Sequence, residues 1–154
     1  MPELPEVEVS RRGLLPFLPG QRIIDAILRA PKLRHEIPSQ LSSRLTGLRI
    51  DAIGRRGKYL LFDCESRQGG GWLILHLGMS GSLRLVAPGT PPQKHDHVDL
   101  VFTATTLRFR DPRRFGTLLW HEGEAIETHP LIAVLGIEPL TDTFSGDWLY
   151  DQTR

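Results

Sequence analysis

Short apolar segments separated by turn residues recur along this chain and constrain its fold more than any other feature. Seven of them, each six or seven residues long, follow one another between residues 48 and 122: LRIDAI, KYLLFDC, GWLILHL, GSLRLV, HVDLVF, TTLRFR and GTLLWHE. Gly, Pro, Asp or Ser clusters lie between them. This spacing is typical of an antiparallel sandwich or barrel rather than of alternating strands and helices.

An eighth strand candidate is QRIIDAILRA at 21–30, although its apolar pairs fit a helix nearly as well. Eight strands are enough for two packed sheets, so we predict a mainly β fold of the α+β class. Helices are predicted at 2–15, where a proline occupies a favoured first position, and at 38–47, PSQLSSRLTG, which ends at a glycine.

The pattern changes beyond His121. HPLIAVLGIEPLTDTFSGDWLYDQTR, at 129–154, predicts a short helix, a Gly/Pro linker and the beginning of another helix. We therefore predict a β-sandwich domain over residues 1–131, followed over 132–154 by a linker and the start of a helical domain. Because the last pattern is still developing at residue 154, we expect the rest of that domain to be missing.

Charge and composition exclude some classes of protein. The net charge of +1 identifies no partner, but only three of the 19 basic residues are lysine, and the arginines include adjacent pairs at 11–12, 55–56 and 113–114. Arginine offers a planar fork of donors that suits phosphate, although such pairs more often form a solvated surface. No apolar run approaches the roughly 20 residues that cross a bilayer, and no secretory signal begins the chain, so we expect a cytoplasmic protein.

The metal-binding side chains are sparse. A single cysteine, Cys64, excludes an internal disulfide framework and a zinc site of the four-cysteine or Cys2His2 kind built from this chain alone. His95 and His97 flank Asp96 in KHDHVD, but with no cysteine nearby we favour a phosphate or backbone contact for His95. We predict no metal site.

The N-terminus carries the most unusual chemistry. Removal of Met1 would leave Pro2 as a secondary amine beside Glu3 and Glu6. An α-amine has an ordinary pKa of about 7.7–8.0, so much of it is neutral near physiological pH. Such an amine can attack a sugar or aldehyde carbon to form an iminium, with Glu3 protonating a ring oxygen or relaying protons. Helix-start statistics alone favour a simpler interpretation, a proline at the first helical position followed by acids.

Two further candidates lie at strand ends. Lys58, in GRRGKYLLF, begins an apolar strand and is a candidate proton donor or phosphate contact, although a surface lysine is commoner there. Met79 lies in the glycine-flanked turn of HLGMSGSLR. An apolar wedge for a base stack would stand at such a tip, and a methionine that folds back onto the sheet is an equally good interpretation.

DPRRFG, at 111–116, forms a second predicted tip. Asp111 and the following proline initiate the turn, and Arg113, Arg114 and Phe115 precede the next strand. Two arginines and one aromatic side chain on a loop suit a gap in DNA and its flanking phosphates. Taken alone, an ordinary charged turn with Phe115 packed inward is the commoner arrangement.

Together these segments resemble one family, the bacterial formamidopyrimidine-DNA glycosylases, also called MutM or 8-oxoguanine DNA glycosylases. MPELPEVEVSRRG, GRRGKYLLF, HLGMSGSLR, KHDHVDL, DPRRFG and LGIEPL occur here in the family's order and cover nearly the whole chain. The combination is highly specific, although each piece alone is weak. PELPEVE rather than PEGPE at the start points away from the endonuclease VIII branch of the superfamily.

The resemblance implies a sandwich of two four-stranded antiparallel sheets, with an N-terminal helix and short flanking helices, that binds damaged double-stranded DNA. Such an enzyme is a glycosylase and AP lyase of base excision repair that excises oxidised purines, namely 8-oxoguanine and formamidopyrimidines. Pro2 would attack C1′ of the lesion nucleotide, the base would leave, and an iminium link would remain. Both phosphates would then be eliminated.

The resemblance also implies roles for single residues. Glu3 would be the acid at the sugar ring oxygen, Glu6 would support the site, and Lys58 would contact phosphate and assist lesion processing. The remaining residues would bind DNA, at phosphates, in the gap left by the flipped nucleotide or at the orphaned cytosine: His76, Met79, His95, Arg113, Arg114 and Phe115.

Family members continue into a helical domain with a helix–two-turn–helix element and a four-cysteine zinc finger. The zinc belongs to that domain, so we expect no cofactor in this chain. We expect a monomer that binds DNA weakly and has little or no activity alone, in keeping with its small net charge. Two other functions stay open, a non-catalytic DNA-binding module and a tautomerase that uses its terminal proline as a general base.

Overall fold

The predicted sandwich is confirmed in the computed structural model, which describes residues 4–123. Two four-stranded antiparallel sheets are flanked by helices α1 (Leu4–Leu14) and α2 (Leu41–Leu45). The strands are β1 (Asp25–Leu28), β2 (Arg49–Arg56), β3 (Tyr59–Glu65), β4 (Gly71–His76), β5 (Ser82–Val86), β6 (Asp96–Val101), β7 (Thr106–Arg110) and β8 (Thr117–Glu122). Each of the eight predicted segments overlaps one strand. Pro2, Glu3, the predicted domain boundary and the features predicted after residue 123 lie outside the described residues.

The core lies between the two sheets. The first sheet has the order β2-β3-β4-β8 and the second has the order β1-β6-β7-β5. Alternate side chains on the facing surfaces pack against each other, and each is at most 4% exposed: Phe62, Leu73, Leu75, Val98, Leu100, Leu107, Phe109 and Leu118. Because the strand interiors are used for packing, the loops at the strand ends are where functional side chains can stand.

The ambiguous segment at 21–30 is extended and contributes to both sheets. Arg22 forms a bridge with Arg49 at the start of β2, whereas β1 pairs with β6. Between these pairings, the amide of Ile23 donates to the carbonyl of Leu48 at 2.8 Å. The segment therefore joins an edge strand of one sheet to the other sheet, which explains why its pattern is not a simple alternation.

One end of the first sheet, here called the loop edge, carries most of the candidate residues. It is a row of four paired residues: Arg56, Tyr59, His76 and Thr117. At this edge Gly57 and Lys58 form the turn between β2 and β3, β4 ends and β8 begins. Gly57 has a φ of +60°, a conformation that glycine adopts without steric cost.

Helix α1 runs antiparallel to β2 and begins near the loop edge. Its C-terminal end leads to Gly20, whose amide donates to the carbonyl of Ile50 near the start of β2, at 2.6 Å. Closer to its N-terminal end, the Glu8 carboxylate accepts from Arg55 near the end of β2, at 2.9 Å. The first turn of α1 therefore lies toward the turn that carries Lys58.

Candidate functional site

Two exposed tips lie side by side next to the loop edge. Met79, in the β4–β5 turn, is 44% exposed, and Phe115, in the β7–β8 loop, is 38% exposed. The alternatives in which Met79 folds onto the sheet and Phe115 packs inward are therefore wrong. Large apolar side chains are normally buried on folding, so two on adjacent loop tips form a candidate contact surface.

The backbones of the two loops touch at Gly78. A Cβ on Gly78 would lie 2.5 Å from the carbonyl carbon of Phe115 and 2.6 Å from the amide nitrogen of Gly116. Gly78 also has a φ of +69°, which L-residues with side chains rarely adopt. Glycine is needed here both for conformation and for space, so it sets how closely the two tips approach.

Arg113 and Phe115 form one unit on the second tip. The guanidinium carbon of Arg113 lies 5.2 Å from the centroid of the Phe115 ring, within cation–π range. Arg113 and Arg114 are exposed, and Arg114 has a φ of +56°. The tip therefore presents a flat aromatic ring and two guanidinium groups to solvent.

Asp111, which the sequence marked only as the start of a turn, is buried beneath this tip. The residue has 0% exposure, and its carboxylate accepts hydrogen bonds from Ser80 Oγ at 2.9 Å and from the amides of Arg114 and Gly116 at 3.1 and 2.8 Å. Asp before Pro often bonds the backbone of its own turn. The bond to Ser80 in the other loop has no local signal in the sequence.

His76 is held as a neutral hydrogen-bond donor. Its Nδ1 accepts from the amide of Gly78 at 2.9 Å, so in the neutral ring the proton is on Nε2. The ring is half-buried and lies edge-on to Tyr59, with centroids 4.8 Å apart. Burial lowers the pKa of His76, and the positive charges of Lys58 and Arg34 lower it further. At neutral pH this side chain can donate to an anion without carrying a charge.

A cleft of about 550 Å³ opens between the tips and the loop edge. Met79 and Phe115 line one part of it and His76 another. Lys58, half-buried in the β2–β3 turn, lies close enough for its charge to lower the pKa of His76. The structure thus brings four of the predicted site residues to one place.

The sequence interpretation missed three lining residues, namely Arg34, His35 and Tyr59. The amide of Arg34 donates to the carbonyl of Gly116 at 3.0 Å, which attaches the loop before α2 to the second tip. The cluster of basic residues in PKLRH, at 31–35, was the available signal. It has no strand or turn pattern that assigns it to this cleft.

His95 and Glu6 are not among the residues that line the cleft. His95 immediately precedes β6, has a φ of +73°, and its carbonyl accepts from the amide of Asp111 at 3.0 Å. Partial burial and the neighbouring positive charges of Lys94 and Arg110 lower its pKa. Glu6 is exposed in the first turn of α1. His95 is therefore bonded to the base of the second tip. Glu6 belongs to the helix that begins near the loop edge.

Two of the arginine pairs are mainly structural. Arg11 and Arg55 are buried, and both donate to the carboxylate of Glu8, at 2.7–2.9 Å. Arg11 also donates to the carbonyl of Ile53 at 3.1 Å. Arg56 is buried too, at 7% exposure. The interpretation of these pairs as solvated surface is wrong for these three residues, because all three are buried. Arg11 and Arg55 fasten α1 to β2. The pair at 113–114 is exposed.

No metal site is found within residues 4–123, since no three His, Cys, Asp or Glu side chains converge there. Cys64 is buried, and burial raises the pKa of its thiol, which makes it a poor nucleophile. Neither helix in this part of the chain has the length and apolarity that a membrane span requires.

Comparison with known proteins gives consistent matches. The family model for the formamidopyrimidine-DNA glycosylase N-terminal domain matches residues 1–118. The formamidopyrimidine-DNA glycosylase of Dechloromonas aromatica is 59% identical over 98% of this chain and 55% of its own length. That of Geobacter metallireducens is 57% identical over 100% of this chain and 56% of its own length. The chain thus spans about half the length of the curated relatives it matches.

Solved structures share the fold. A complex of Lactococcus lactis Fpg (MutM) with DNA containing an oxidised pyrimidine has a TM-score of 0.71 and 40% identity, over 79% of this chain and 44% of that chain. A complex of the LlFpg protein with a THF-DNA and an inhibitor has a TM-score of 0.76 and 37% identity, over 86% and 48%. The family model matches most of this chain, and the relatives are more than half identical to it. The chain therefore belongs to the formamidopyrimidine-DNA glycosylase family.

Proposed function

We propose that this chain provides the lesion-binding and nucleophilic half of a bifunctional DNA glycosylase and AP lyase that excises oxidised purines. The observation that carries the proposal is the convergence at the loop edge. Two exposed apolar tips and a neutral histidine donor line one cleft, and an exposed arginine pair stands on the second tip. Lys58 lies in the β2–β3 turn near the histidine, and α1 begins nearby. Damaged double-stranded DNA is the partner that such a surface suits.

The nucleophile we propose is the nitrogen of Pro2. One residue, Glu3, separates it from Leu4, so chain connectivity keeps it within about 7 Å of the first described residue of α1. Its nitrogen would attack C1′ of the lesion nucleotide and the base would leave, giving an iminium. Glu3 would protonate the ring oxygen, with Glu6 supporting the site. The iminium then acidifies the adjacent sugar protons, and elimination of both phosphates follows.

Phosphate binding falls to Lys58, His76 and His95 in this proposal. His76 presents Nε2–H from a fixed ring, and its lowered pKa keeps it neutral, so it binds phosphate by geometry more than by charge. Lys58 supplies the charge next to it. A fixed donor beside a flexible ammonium suits a DNA backbone that is held at a few phosphates and is bent elsewhere.

The two tips would occupy the gap that a flipped nucleotide leaves. Extruding a nucleotide costs a few kcal/mol of stacking and pairing, and inserted side chains offset part of that cost. Met79 and Phe115 provide apolar surface, and Arg113 provides donors that can face the orphaned cytosine. Arg114, beside them, is exposed and available to a flanking phosphate. An N-terminal-proline tautomerase has no use for such tips.

Affinity should be modest for the 154-residue chain. DNA affinity depends heavily on phosphate neutralisation, and this chain has a net charge of only +1 and about half the length of its relatives. We therefore propose weak DNA binding and little glycosylase turnover for this chain by itself, as a monomer in the bacterial cytoplasm.

Borohydride trapping tests the covalent step. The 154-residue chain, with removal of Met1 verified by intact mass, is incubated with abasic-site DNA and sodium borohydride. We expect a covalent protein–DNA band that disappears when the terminal amine is acetylated and persists in Pro5→Ala, a matched change at an exposed proline in the same helix. DNA binding without a band would instead identify a non-catalytic module, and turnover of an enol substrate would identify a tautomerase.

A further inference from the structure

We infer that Asp111 and Ser80 form a clip that sets the spacing of the two tips, and that this spacing determines discrimination between damaged and undamaged DNA. The inference rests on the proposed function. Two hydrogen bonds of the clip join the β4–β5 turn to the β7–β8 loop, from Ser80 Oγ to the Asp111 carboxylate and from the amide of Arg113 to Ser80 Oγ. Two more, from the amides of Arg114 and Gly116 to the same carboxylate, hold the β7–β8 loop itself. Both are positioning residues in this inference, because the Asp111 side chain is fully buried and the Ser80 hydroxyl is bonded within the protein.

Ser80 uses both of its hydrogen-bonding capacities within the protein. Its hydroxyl donates to Asp111 Oδ1 at 2.9 Å and accepts from the amide of Arg113 at 3.2 Å. Met79 is the residue immediately before it, and Arg113 carries the side chain that stacks on Phe115. One hydroxyl therefore connects the backbone of the first tip to the backbone of the second.

Asp111 extends the clip to a third segment. Its amide donates to the carbonyl of His95 at 3.0 Å, and its carbonyl accepts from His97 Nε2 at 3.0 Å. Its carboxylate holds the amides of Arg114 and Gly116. The proposed gap-filling and phosphate-binding loops thus share one fully buried anchor. A buried carboxylate is costly unless all its bonds are made, so the loops are held as a unit or released as a unit.

Side chains that fill one gap from two loops must enter at a fixed separation. If the separation of the two tips varies in the free protein, binding must also order the two loops, and this lowers the affinity. The cost applies only where both tips insert. Undamaged duplex, contacted through its phosphates, does not require that insertion. Loss of the clip should therefore weaken binding to damaged DNA selectively.

Ser80→Ala removes the hydroxyl with little change in volume, and Ser82→Ala, at an exposed residue of β5, is the matched control. We expect Ser80→Ala to weaken binding to a duplex with a tetrahydrofuran abasic analogue by about three- to ten-fold, the value of one or two hydrogen bonds, and to leave undamaged duplex unchanged. Ser80→Thr, which keeps a hydroxyl, should restore the preference. Asp111→Asn should have a larger effect, since its NH2 group would face an N–H donor.

Amide hydrogen exchange, followed by NMR without DNA, tests the clip independently of binding. Exchange at Arg113 should become faster in Ser80→Ala and stay as in the wild type in Ser82→Ala. Unchanged exchange at Arg113, or faster exchange with the damaged-to-undamaged preference intact, would overturn the inference. An equal loss of affinity for both duplexes would also overturn it, because that indicates a general structural role. If the wild-type chain shows no preference for damaged over undamaged duplex, the proposed function is contradicted instead. Amide exchange at Arg113 would then still decide whether Ser80 joins the two loops.

Discussion

Gly78 shows how a single residue determines the approach of the two tips. We expect Gly78→Ala to lower the free energy of unfolding by at least about 2 kcal/mol. The added Cβ would meet the backbone of Phe115 and Gly116 at 2.5–2.6 Å, and alanine is disfavoured at a φ of +69°. Neither backbone atom can rotate away as a flexible side chain would. Urea unfolding of the purified chain measures the change.

Gly13→Ala is the matched control, because its Cβ would meet nothing within 4 Å and it lies inside α1. Alanine is the better helix former by about 0.5–1 kcal/mol, so this change should stabilise the protein. Equal destabilisation by the two substitutions would show that the close contact at Gly78 is not what matters.

At the same scale, the sequence predicted the residues at the tips better than the residues that hold the loops together. Met79, Arg113 and Phe115 were selected because they stand at turns beside glycine or proline, which is a local signal. Asp111 and Arg34 were not, since their roles depend on contacts with loops distant in sequence. Local propensity carries information about turns, and only the folded backbone specifies which turns meet.

Among the elements, one carboxylate makes the ion pairs that join α1 to β2. Glu8 binds Arg11, Arg12 and Arg55. Burial raises its pKa, but hydrogen bonds from Arg11 and Arg55 outweigh burial and lower the pKa to about 2. Since an acid with a lowered folded-state pKa stabilises the fold above its unfolded pKa of 4.5, this contribution is complete above that value and is lost as the pH falls toward about 2.

We therefore expect Glu8→Gln to cost about 1–3 kcal/mol at pH 7 and to flatten the decline in stability between pH 4.5 and 2. The removal leaves two buried guanidinium groups without their anion, which is the main cost. Chemical denaturation across this pH range gives the measurement.

Glu122→Gln provides a comparison with the same pKa. Hydrogen bonds from Arg44 and Trp120 lower the pKa of Glu122 to about 2 as well, but its side chain is 61% exposed. Solvent screens such pairs, so the substitution should cost less than about 1 kcal/mol. If Glu122→Gln proved as costly as Glu8→Gln, burial would not be the factor that separates the two pairs.

Secondary structure was the most predictable element of the fold. Every strand overlaps a predicted segment, although β2 extends three residues beyond its segment, because short apolar runs bounded by turn residues carry a strong local signal. The segment at 21–30 stayed ambiguous for a physical reason. Its first part pairs near β2 and its second part pairs with β6, so the environment changes midway and no single period describes it.

For the whole molecule, the distribution of functional groups predicts two separable contributions to DNA binding. Lys58 is proposed to neutralise a phosphate, whereas Phe115 is proposed to fill a gap and carries no charge. Each neutralised phosphate contributes about 0.9 to the slope of log affinity against log salt concentration. Lys58→Ala should therefore reduce the slope by about 1 for damaged and undamaged duplex alike, and Phe115→Ala should leave it unchanged.

Phe115→Ala should instead reduce the preference for duplex with an abasic analogue, because stacking in the gap is available only there. Arg67→Ala is the control for charge, since Arg67 is exposed in the β3–β4 hairpin, at the opposite end of β3 from Lys58. Fluorescence anisotropy titrations at four or more salt concentrations give both quantities. A slope that falls as much in Arg67→Ala as in Lys58→Ala would mean that DNA is attracted by the overall charge of the chain, and the loop edge would no longer be the binding surface.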